Sequence, residues 1–179
     1  MHNRFTRIAL AAAVAATLTA PALADTKTGN LPVSANVIPM CHINTVTGIT
    51  FTNVDVTALG VAQEYSANGS IGVACTNESP YSISLAKGNY ADGGGTRRML
   101  GGSGASMMPY HLYADAGFTT ELWGNPTADD LVTNVLGTGS EVVHGVYGRL
   151  NKNDFMSGVG DWLLTAGAYS DTVVVTVTF

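Results

Sequence analysis

The stretch Gly167-Ala-Tyr-Ser-Asp-Thr-Val-Val-Val-Thr-Val-Thr-Phe179 carries the clearest strand pattern of the sequence. Apolar and polar residues alternate along its second half, as in a β-strand that buries one face. The buried face would carry Val173, Val175, Val177 and Phe179. No turn and no further strand follow in the sequence, and an uncovered apolar edge promotes aggregation. We therefore expect the outer edge of this strand to need a cover.

Upstream of this stretch, short apolar runs alternate with turn residues such as Gly, Asn, Asp and Pro. The predicted strands are Ile49–Val54, Ser70–Thr76, Tyr81–Leu85, Pro109–Ala114, Phe118–Trp123 and Glu141–Leu150, with Arg97–Leu100 as a connection or crossing strand. For Pro126–Thr138 a helical turn and a loop both remain open. Seven or eight short strands without a persuasive helical pattern predict an all-β sandwich.

A second alternating run lies near the other end, at Asp25–Cys41. Its apolar face would carry Leu31, Val33, Ala35 and Val37, and its other face Pro32, Ser34 and Asn36. Such a strand can fill a groove between two sheets. The pattern leaves open whether that groove belongs to the same chain or to a neighbouring copy.

The first residues have the features of a secretory signal peptide. Arg4 and Arg7 precede an apolar run, and the segment ends Ala22-Leu-Ala24, which predicts cleavage after Ala24. The apolar run is shorter than the roughly 20 residues that span a bilayer, which argues against a membrane anchor. Loss of the two arginines would change the formal net charge from −5 to −7. A surface so acidic argues against nucleic acid as a partner.

The two cysteines, Cys41 and Cys75, are an even number in a chain that we expect to be exported. In an oxidising compartment this predicts one disulfide, closing a loop of 34 residues. Such a loop closure stabilises a fold by roughly 3 to 4 kcal/mol in the chain-entropy description. A metal site is the weaker interpretation, because His42 is adjacent to Cys41 and would point to the opposite face of a strand.

No arrangement of acid, base or nucleophile predicts an enzyme, and no motif predicts a cofactor or a metal. His42, His111 and His144 lack the spacing of metal ligands. The glycine-rich segment Gly88–Gly104 lacks the ending of a phosphate-binding loop and no helical pattern follows it. A platform of Tyr and Trp for sugars is possible in principle, but the alternation of Tyr110 suits core packing equally well.

The C-terminal stretch resembles the ending of spore coat protein U domains, the pilin module of archaic (Csu-type) chaperone-usher pili, in its pattern Gly-x-Tyr-x-Asp-Thr followed by an alternating strand that ends in Phe. Further stretches match in order and spacing across the whole mature chain. They are the run leading to Cys41, Gly69–Thr76, Pro80–Leu85, Arg98–Leu100, Tyr110–Asp115 and Trp123-Gly124.

The resemblance implies an incomplete immunoglobulin-like β-sandwich that lacks its last strand and carries an N-terminal donor-strand extension. It divides the chain into a signal peptide (1–24), the extension (25–40) and the sandwich domain (41–179). The inserted side chains would be Leu31, Val33, Ala35 and Val37. The acceptor groove, which is also the chaperone-binding strand, would use Val173, Val175, Val177 and Phe179, with the Phe179 carboxylate as the anchoring point for the chaperone.

The implied function is that of a structural subunit of an adhesive or biofilm-forming surface fibre. Its partners would be other pilus subunits, a periplasmic chaperone and an outer-membrane usher, with passage through the periplasm to the cell surface. Two residues depart from a strong donor strand, because Pro32 cannot donate a ladder hydrogen bond and Ala35 fills little volume. The alternative is a secreted coat or carbohydrate- or surface-binding module that completes its own fold.

Overall fold

The computed structural model describes residues 24–56, 64–101, 106–122, 130–151, 154 and 164–179. The predicted signal peptide lies outside the described residues except for Ala24. The chain divides into two units, Met1–Asn36 and Val37–Phe179, and the strands that the structure describes belong to the second. Across the described ranges no helix has the length and apolar character that crossing a membrane requires. The strands are β1 (Cys41–Thr47), β2 (Glu64–Cys75), β3 (Pro80–Leu85), β4 (Arg97–Gly101), β5 (Ser106–Tyr113), β6 (Asp130–Leu136), β7 (Glu141–Asn151), β8 (Tyr169–Ser170) and β9 (Val175–Thr178).

The strands form two antiparallel sheets. The larger sheet has the order β1-β2-β7-β5-β4-β8 and the smaller one the order β6-β3-β9. The longest pairing joins β2 to β7, in register from Glu64↔Asn151 to Ala74↔Glu141. The predicted all-β immunoglobulin-like sandwich is therefore confirmed.

Alternation along the strands builds the core between the sheets, because successive side chains of a strand point to opposite faces. The buried side chains come from both sheets, and each contributes about 1.5 to 3 kcal/mol through its removal from water. They include Ile71, Val73, Tyr81, Ile83, Leu85, Met108, Tyr110, Leu112, Val146 and Leu150.

The predicted disulfide is present and joins Cys41 to Cys75. Cys41 is the first residue of β1 and lies opposite Cys75, the last residue of β2. The sequence did not predict β1 itself, whose inner-face residues Ile43 and Val46 remain exposed. An edge strand with an uncovered inner face lacks the apolar burial that makes a strand recognisable from sequence.

The prediction of a strand at Ile49–Val54 was wrong, because this segment belongs to no strand among the described residues. Its burial nevertheless alternates, with Ile49 and Phe51 half-buried and the threonines between and after them exposed. A strand needs a hydrogen-bonded neighbour as well as an apolar face. Ile49–Val54 has an apolar face, but among the described residues it has no hydrogen-bonded neighbouring strand.

Three other predictions change with the structure. The C-terminal stretch is two short strands, since β8 pairs with β4 and β9 pairs with β3, so the chain passes from one sheet to the other at Asp171–Val174. Within Pro126–Thr138, residues 130–136 form β6, whose pairing with β3 is interrupted by register shifts. Of Phe118–Trp123, Glu121 makes an isolated bridge to Tyr113, and Trp123 lies outside the described residues. Irregular pairing hides the period of two on which the predictions relied.

Candidate functional site: an open apolar groove

An open groove of about 930 Å³ is bounded by both sheets of the domain. Its floor consists of buried core side chains, namely Ile71, Leu85, Met108, Leu112 and Val146. One wall is most of Val46–Val56, and the other is Leu164–Asp171 together with Val173 and Val175. A folded domain ordinarily closes over such an apolar floor, so the opening makes this groove the candidate site.

Two glycines of the large sheet make room for the first wall. A Cβ atom on Gly69 would lie 2.8 Å from the Ile49 side chain, and one on Gly148 would lie 2.8 Å from Ile49 and 2.9 Å from Phe51. Because Gly69 and Gly148 have no Cβ atoms, the side chains of Ile49 and Phe51 can pack directly against the sheet. The hydroxyl of Tyr65 accepts a hydrogen bond of 2.9 Å from the backbone N–H of Asp55, which fixes the end of the same segment to β2.

A carboxylate holds the second wall. The hydroxyl of Tyr110 donates to Oδ2 of Asp171 at 2.7 Å, and the N–H of Asn89 donates to Oδ1 at 2.9 Å. Burial, followed by the hydrogen bond to Asp171, raises the pKa of the Tyr110 hydroxyl. Gly88 has a φ of +82°, and a Cβ there would lie 2.0 Å from Asp171. Asp171 thus ties the crossing between the sheets to β5 and to the turn after β3.

A buried arginine supports the start of β9. The guanidinium of Arg97 donates to the carbonyl oxygen of Ala86 at 2.9 and 3.0 Å and to that of Leu85 at 3.2 Å. It also donates to the carbonyl of Leu122. The N–H of Ala86 in turn donates to the carbonyl of Val174 at 2.9 Å. Arg97 therefore positions the backbone from which β9 departs.

The predicted acceptor residues divide into two pairs. Val173 and Val175 are half-buried and line the groove. Val177 is half-buried and packs against the core without lining the groove, and Phe179 is 55% exposed. In the part of the chain that the structure describes, β9 pairs with β3 along one edge and has no strand along the other.

The predicted donor residues are exposed. Leu31, Val33 and Val37 have exposed fractions of 85%, 88% and 79%, and Ala35 is exposed as well. Residues 24–40 form no strand. The apolar side chains for which the alternation predicts a common face are exposed, as are the polar residues between them.

A histidine lies between two carboxylates away from the groove. Nε2 of His111 is 2.6 Å from Oδ2 of Asp154, and Nδ1 is hydrogen-bonded to Glu121. Burial disfavours the charged imidazole, but the hydrogen bonds to the two carboxylates outweigh it and raise the pKa of His111. Within the described ranges, no group of three or more His, Cys, Asp or Glu side chains has an arrangement suited to a metal ion.

Sequence reasoning found the apolar faces but missed the residues that hold the groove open. Asp171 was noted only as part of a motif, although its partners Tyr110 and Asn89 are far from it in sequence. Gly69 and Gly148 interrupt two strands, and an isolated glycine in a strand is the available signal for a close approach of other chain atoms.

Comparison with known proteins identifies the family. The Spore Coat Protein U domain matches residues 27–176. The chain belongs to the Spore Coat Protein U domain family. Protein U from Myxococcus xanthus is 35% identical to it over 185 residues, which cover 96% of this chain and 95% of that protein.

A solved structure shares the fold of this Spore Coat Protein U domain protein. It is the crystal structure of the CsuC-CsuE chaperone-tip adhesion subunit pre-assembly complex from archaic chaperone-usher Csu pili of Acinetobacter baumannii, with a TM-score of 0.51 and 22% sequence identity. The match covers 80% of this chain but only 40% of the chain in that structure. The likeness supports the immunoglobulin-like pilin fold.

Proposed function

We propose that this protein is a non-catalytic structural subunit of a chaperone-usher surface fibre that polymerises by donor-strand complementation. The N-terminal segment of one copy, residues 25–40, would enter the groove of the next. Insertion of an extended segment at a sheet edge uses backbone hydrogen bonds for affinity and alternate side chains for specificity. The observation that carries this proposal is the open apolar groove beside β9, whose outer edge pairs with no strand of the described ranges.

The groove offers backbone partners on both of its sides. Among the described residues, β9 has no strand along its outer edge, and residues 49–52 have alternating burial without a neighbouring strand. An inserted strand would therefore satisfy both segments at once. It would also cover the floor formed by Ile71, Met108 and Leu112.

The N-terminal segment has the properties of the missing strand. Leu31, Val33 and Val37 recur at every second or fourth position and are exposed. Burial of each of these three side chains in a groove would contribute about 1.5 to 3 kcal/mol. Because donor and acceptor are different surfaces of one chain, the contact is heterologous and extends into a filament without closing.

The open groove also explains why the subunit would need a chaperone and an usher during export. Before polymerisation the uncovered floor is an aggregation hazard, so we propose that a periplasmic chaperone covers it and that an outer-membrane usher exchanges the chaperone for the next subunit. The fold shared with a chain from a chaperone–subunit complex supports this step. The fibre would then lie at the cell surface, where it would serve adhesion or biofilm formation.

The test compares the mature chain with a variant that lacks residues 25–38. We expect fibres or a ladder of oligomers from the mature chain, seen by electron microscopy and light scattering, and monomers from the shortened variant. A synthetic peptide of residues 28–40 should bind the shortened variant and block assembly of the mature chain. The matched control is the same peptide with Val33→Asp. Normal fibres from the shortened variant would falsify the proposal.

A second candidate is a coat protein whose N-terminal segment completes its own domain. The name of the family and the extended similarity to Protein U favour it. This function predicts a monomer whose size does not change with concentration. It also predicts that the peptide of residues 28–40 does not bind the mature chain, because the groove would already be filled.

A further inference from the structure

We infer that the Cys41–Cys75 disulfide and Thr76 form a lock that carries tension from the N-terminal segment past the edge strand β1 to the end of β2, the second strand of the large sheet. The inference rests on the proposed function, because only a fibre places this segment under tension. It assigns to the disulfide a role in force transmission that is separate from its contribution to folding.

The position of the disulfide decides the route of the force. Residues 25–40 connect directly to Cys41, the first residue of β1. In the part of the chain that the structure describes, β1 is an edge strand that pairs only with β2, and its first register pair is Cys41↔Cys75. Tension entering from the N-terminal side reaches this pair before any other. Without a covalent bond there, the pairs of β1 could separate one after another, each at the cost of few hydrogen bonds.

Thr76 holds the residues immediately before the disulfide. The N–H of Met40 donates to Oγ1 of Thr76 at 3.1 Å, and the N–H of Thr76 donates to the carbonyl of Met40 at 2.9 Å. The Thr76 hydroxyl lies 3.3 Å from the carbonyl oxygens of both Ile38 and Met40, and can donate to either. These bonds fix the backbone at the point where the N-terminal segment leaves the domain.

The receiving strand is the best-supported strand of the sheet. β2 lies between β1 and β7 and is paired with β7 along almost its whole length. Its side chains Ile71, Val73 and Cys75 are buried in the core. Behind the disulfide, the N–H of Gly139 donates to the carbonyl of Cys75 at 3.1 Å. Force that passes through the disulfide therefore bypasses β1 and acts at Cys75, which is held by the pairing of β2 with β7 and by burial in the core.

The chain also packs closely against Cys75 and Thr76 on the side of Gly137. A Cβ atom on Gly137 would lie 2.9 Å from the Cβ of Cys75 and 2.3 Å from the carbonyl oxygen of Thr76. The N–H of Glu78 donates to the carbonyl of Gly137 at 2.8 Å, and the N–H of Gly137 donates to the carbonyl of Ser79 at 2.8 Å. The turn that follows Thr76 is thus held to the end of β6, which limits its movement under load.

The test is single-molecule pulling of the mature chain through tags at its two ends, with the disulfide oxidised or reduced in otherwise identical protein. We expect the reduced protein to show an early event at lower force that releases the seven residues of β1. That release corresponds to about 25 Å at roughly 3.5 Å per residue. The oxidised protein should lack this event. Equal first rupture forces in the two states would overturn the inference.

Thr76 is tested with the disulfide intact, by hydrogen exchange of the Met40 amide. Thr76→Val should accelerate that exchange at least tenfold while the denaturant midpoint of the domain changes little. The matched control is Thr133→Val, an exposed threonine of β6. Unchanged exchange in Thr76→Val would remove Thr76 from the lock. Both measurements use single chains, so a failure of fibre assembly would count against the proposed function and leave the lock to be judged separately.

Discussion

Two stretches of this protein share one sequence pattern and differ in what happens to it. Leu31–Val37 and Val173–Val177 both place apolar side chains at every second position. In the first stretch the apolar row is open to solvent, whereas in the second it is half-buried against the core. The alternation is the same, so the burial is decided by the surroundings of each stretch.

This difference shows that alternation predicts which side chains share the apolar face of a strand. It does not predict what covers that face. Val175 has its partner within the domain, because β9 pairs with β3 and rests on the core. Leu31 and Val33 have the same spacing in a segment without strand pairing, and both are exposed. In a subunit that polymerises, such a face finds its cover on another molecule.

The largest expected effect comes from placing the same charge in both stretches. Val175→Asp should lower the free energy of unfolding of the domain by about 3 kcal/mol or more, because a carboxylate would replace an apolar side chain against the core. Val33→Asp should change that free energy by less than about 0.5 kcal/mol, since its side chain is exposed. Denaturant unfolding of the two variants measures the contrast.

Fibre assembly should be sensitive to Val33→Asp even though stability is not. We expect this variant to fold normally and to form no fibres. Val33→Ile serves as the control, because it keeps the apolar character at the same position. A large loss of stability in Val33→Asp would mean that the N-terminal row is covered within its own chain, and the contrast between the two stretches would disappear.

The next largest effect is expected from the hydrogen bond between Tyr110 and Asp171, which holds the groove wall formed by Leu164–Asp171. Tyr110→Phe should lower the free energy of unfolding by about 1 to 2 kcal/mol, because Asp171 loses the hydroxyl donor and keeps the N–H of Asn89. The double-mutant cycle with Asp171→Asn measures the coupling between the two groups. Tyr65→Phe is a matched control, since its hydroxyl holds the other wall at Asp55. A coupling of zero between Tyr110 and Asp171 would contradict the role assigned to that bond.

A smaller effect is expected from the weakest position of the N-terminal row. Ala35→Val should tighten binding of the peptide of residues 28–40 by up to about 1.5 kcal/mol, because it adds two methyl groups to the buried face. The stability of the domain itself should not change. Titration calorimetry with the shortened variant measures the affinity, and Ser34→Val on the opposite face is the control. Weaker binding of Ala35→Val would indicate that the groove has no space at this position.

The smallest expected effect is a pH dependence that lies outside both stretches. The folded-state pKa of His111 is raised above its ordinary value of 6.5. Its contribution to stability is therefore fully present below about pH 6.5 and is lost as the pH rises through the folded-state pKa. Denaturant midpoints at several pH values should fall over that range, and His111→Gln should remove this component. A rise in stability over the same range that depends on His111 would contradict the assignment.

Several parts of the structure could be predicted from residues alone. The period of two at Ser70–Thr76, Tyr81–Leu85 and Glu141–Leu150 predicted strands that the structure contains, because each strand is regular and buries one face. The pairing of Cys41 with Cys75 followed from an even count in a chain with the sequence features expected of an exported protein. Strands with irregular pairing, such as β6, could not be predicted in this way.

The sequence predicted apolar side chains that line the candidate site, but it did not predict the shape of the groove. The valines of the C-terminal stretch were found by alternation, but Asp171, Gly69 and Gly148 act on residues that are distant in sequence. The sequence did predict an apolar face at Ile49–Val54, and only its pairing was wrong. A missing neighbour cannot be recognised from the segment that lacks it.

By itself, the sequence determined the β class, the disulfide and the two alternating apolar patterns at Leu31–Val37 and Val173–Val177. Those properties are local, since they depend on the spacing of side chains along a strand and on the count of cysteines. The tertiary structure alone decided that, among the described strands, β9 is paired on one side only, that a groove of about 930 Å³ lies open beside it, and that Leu31 and Val33 are exposed. Burial and pairing depend on contacts between distant residues, so the same alternation produces a core strand at Val175 and a solvent-exposed segment at Val33.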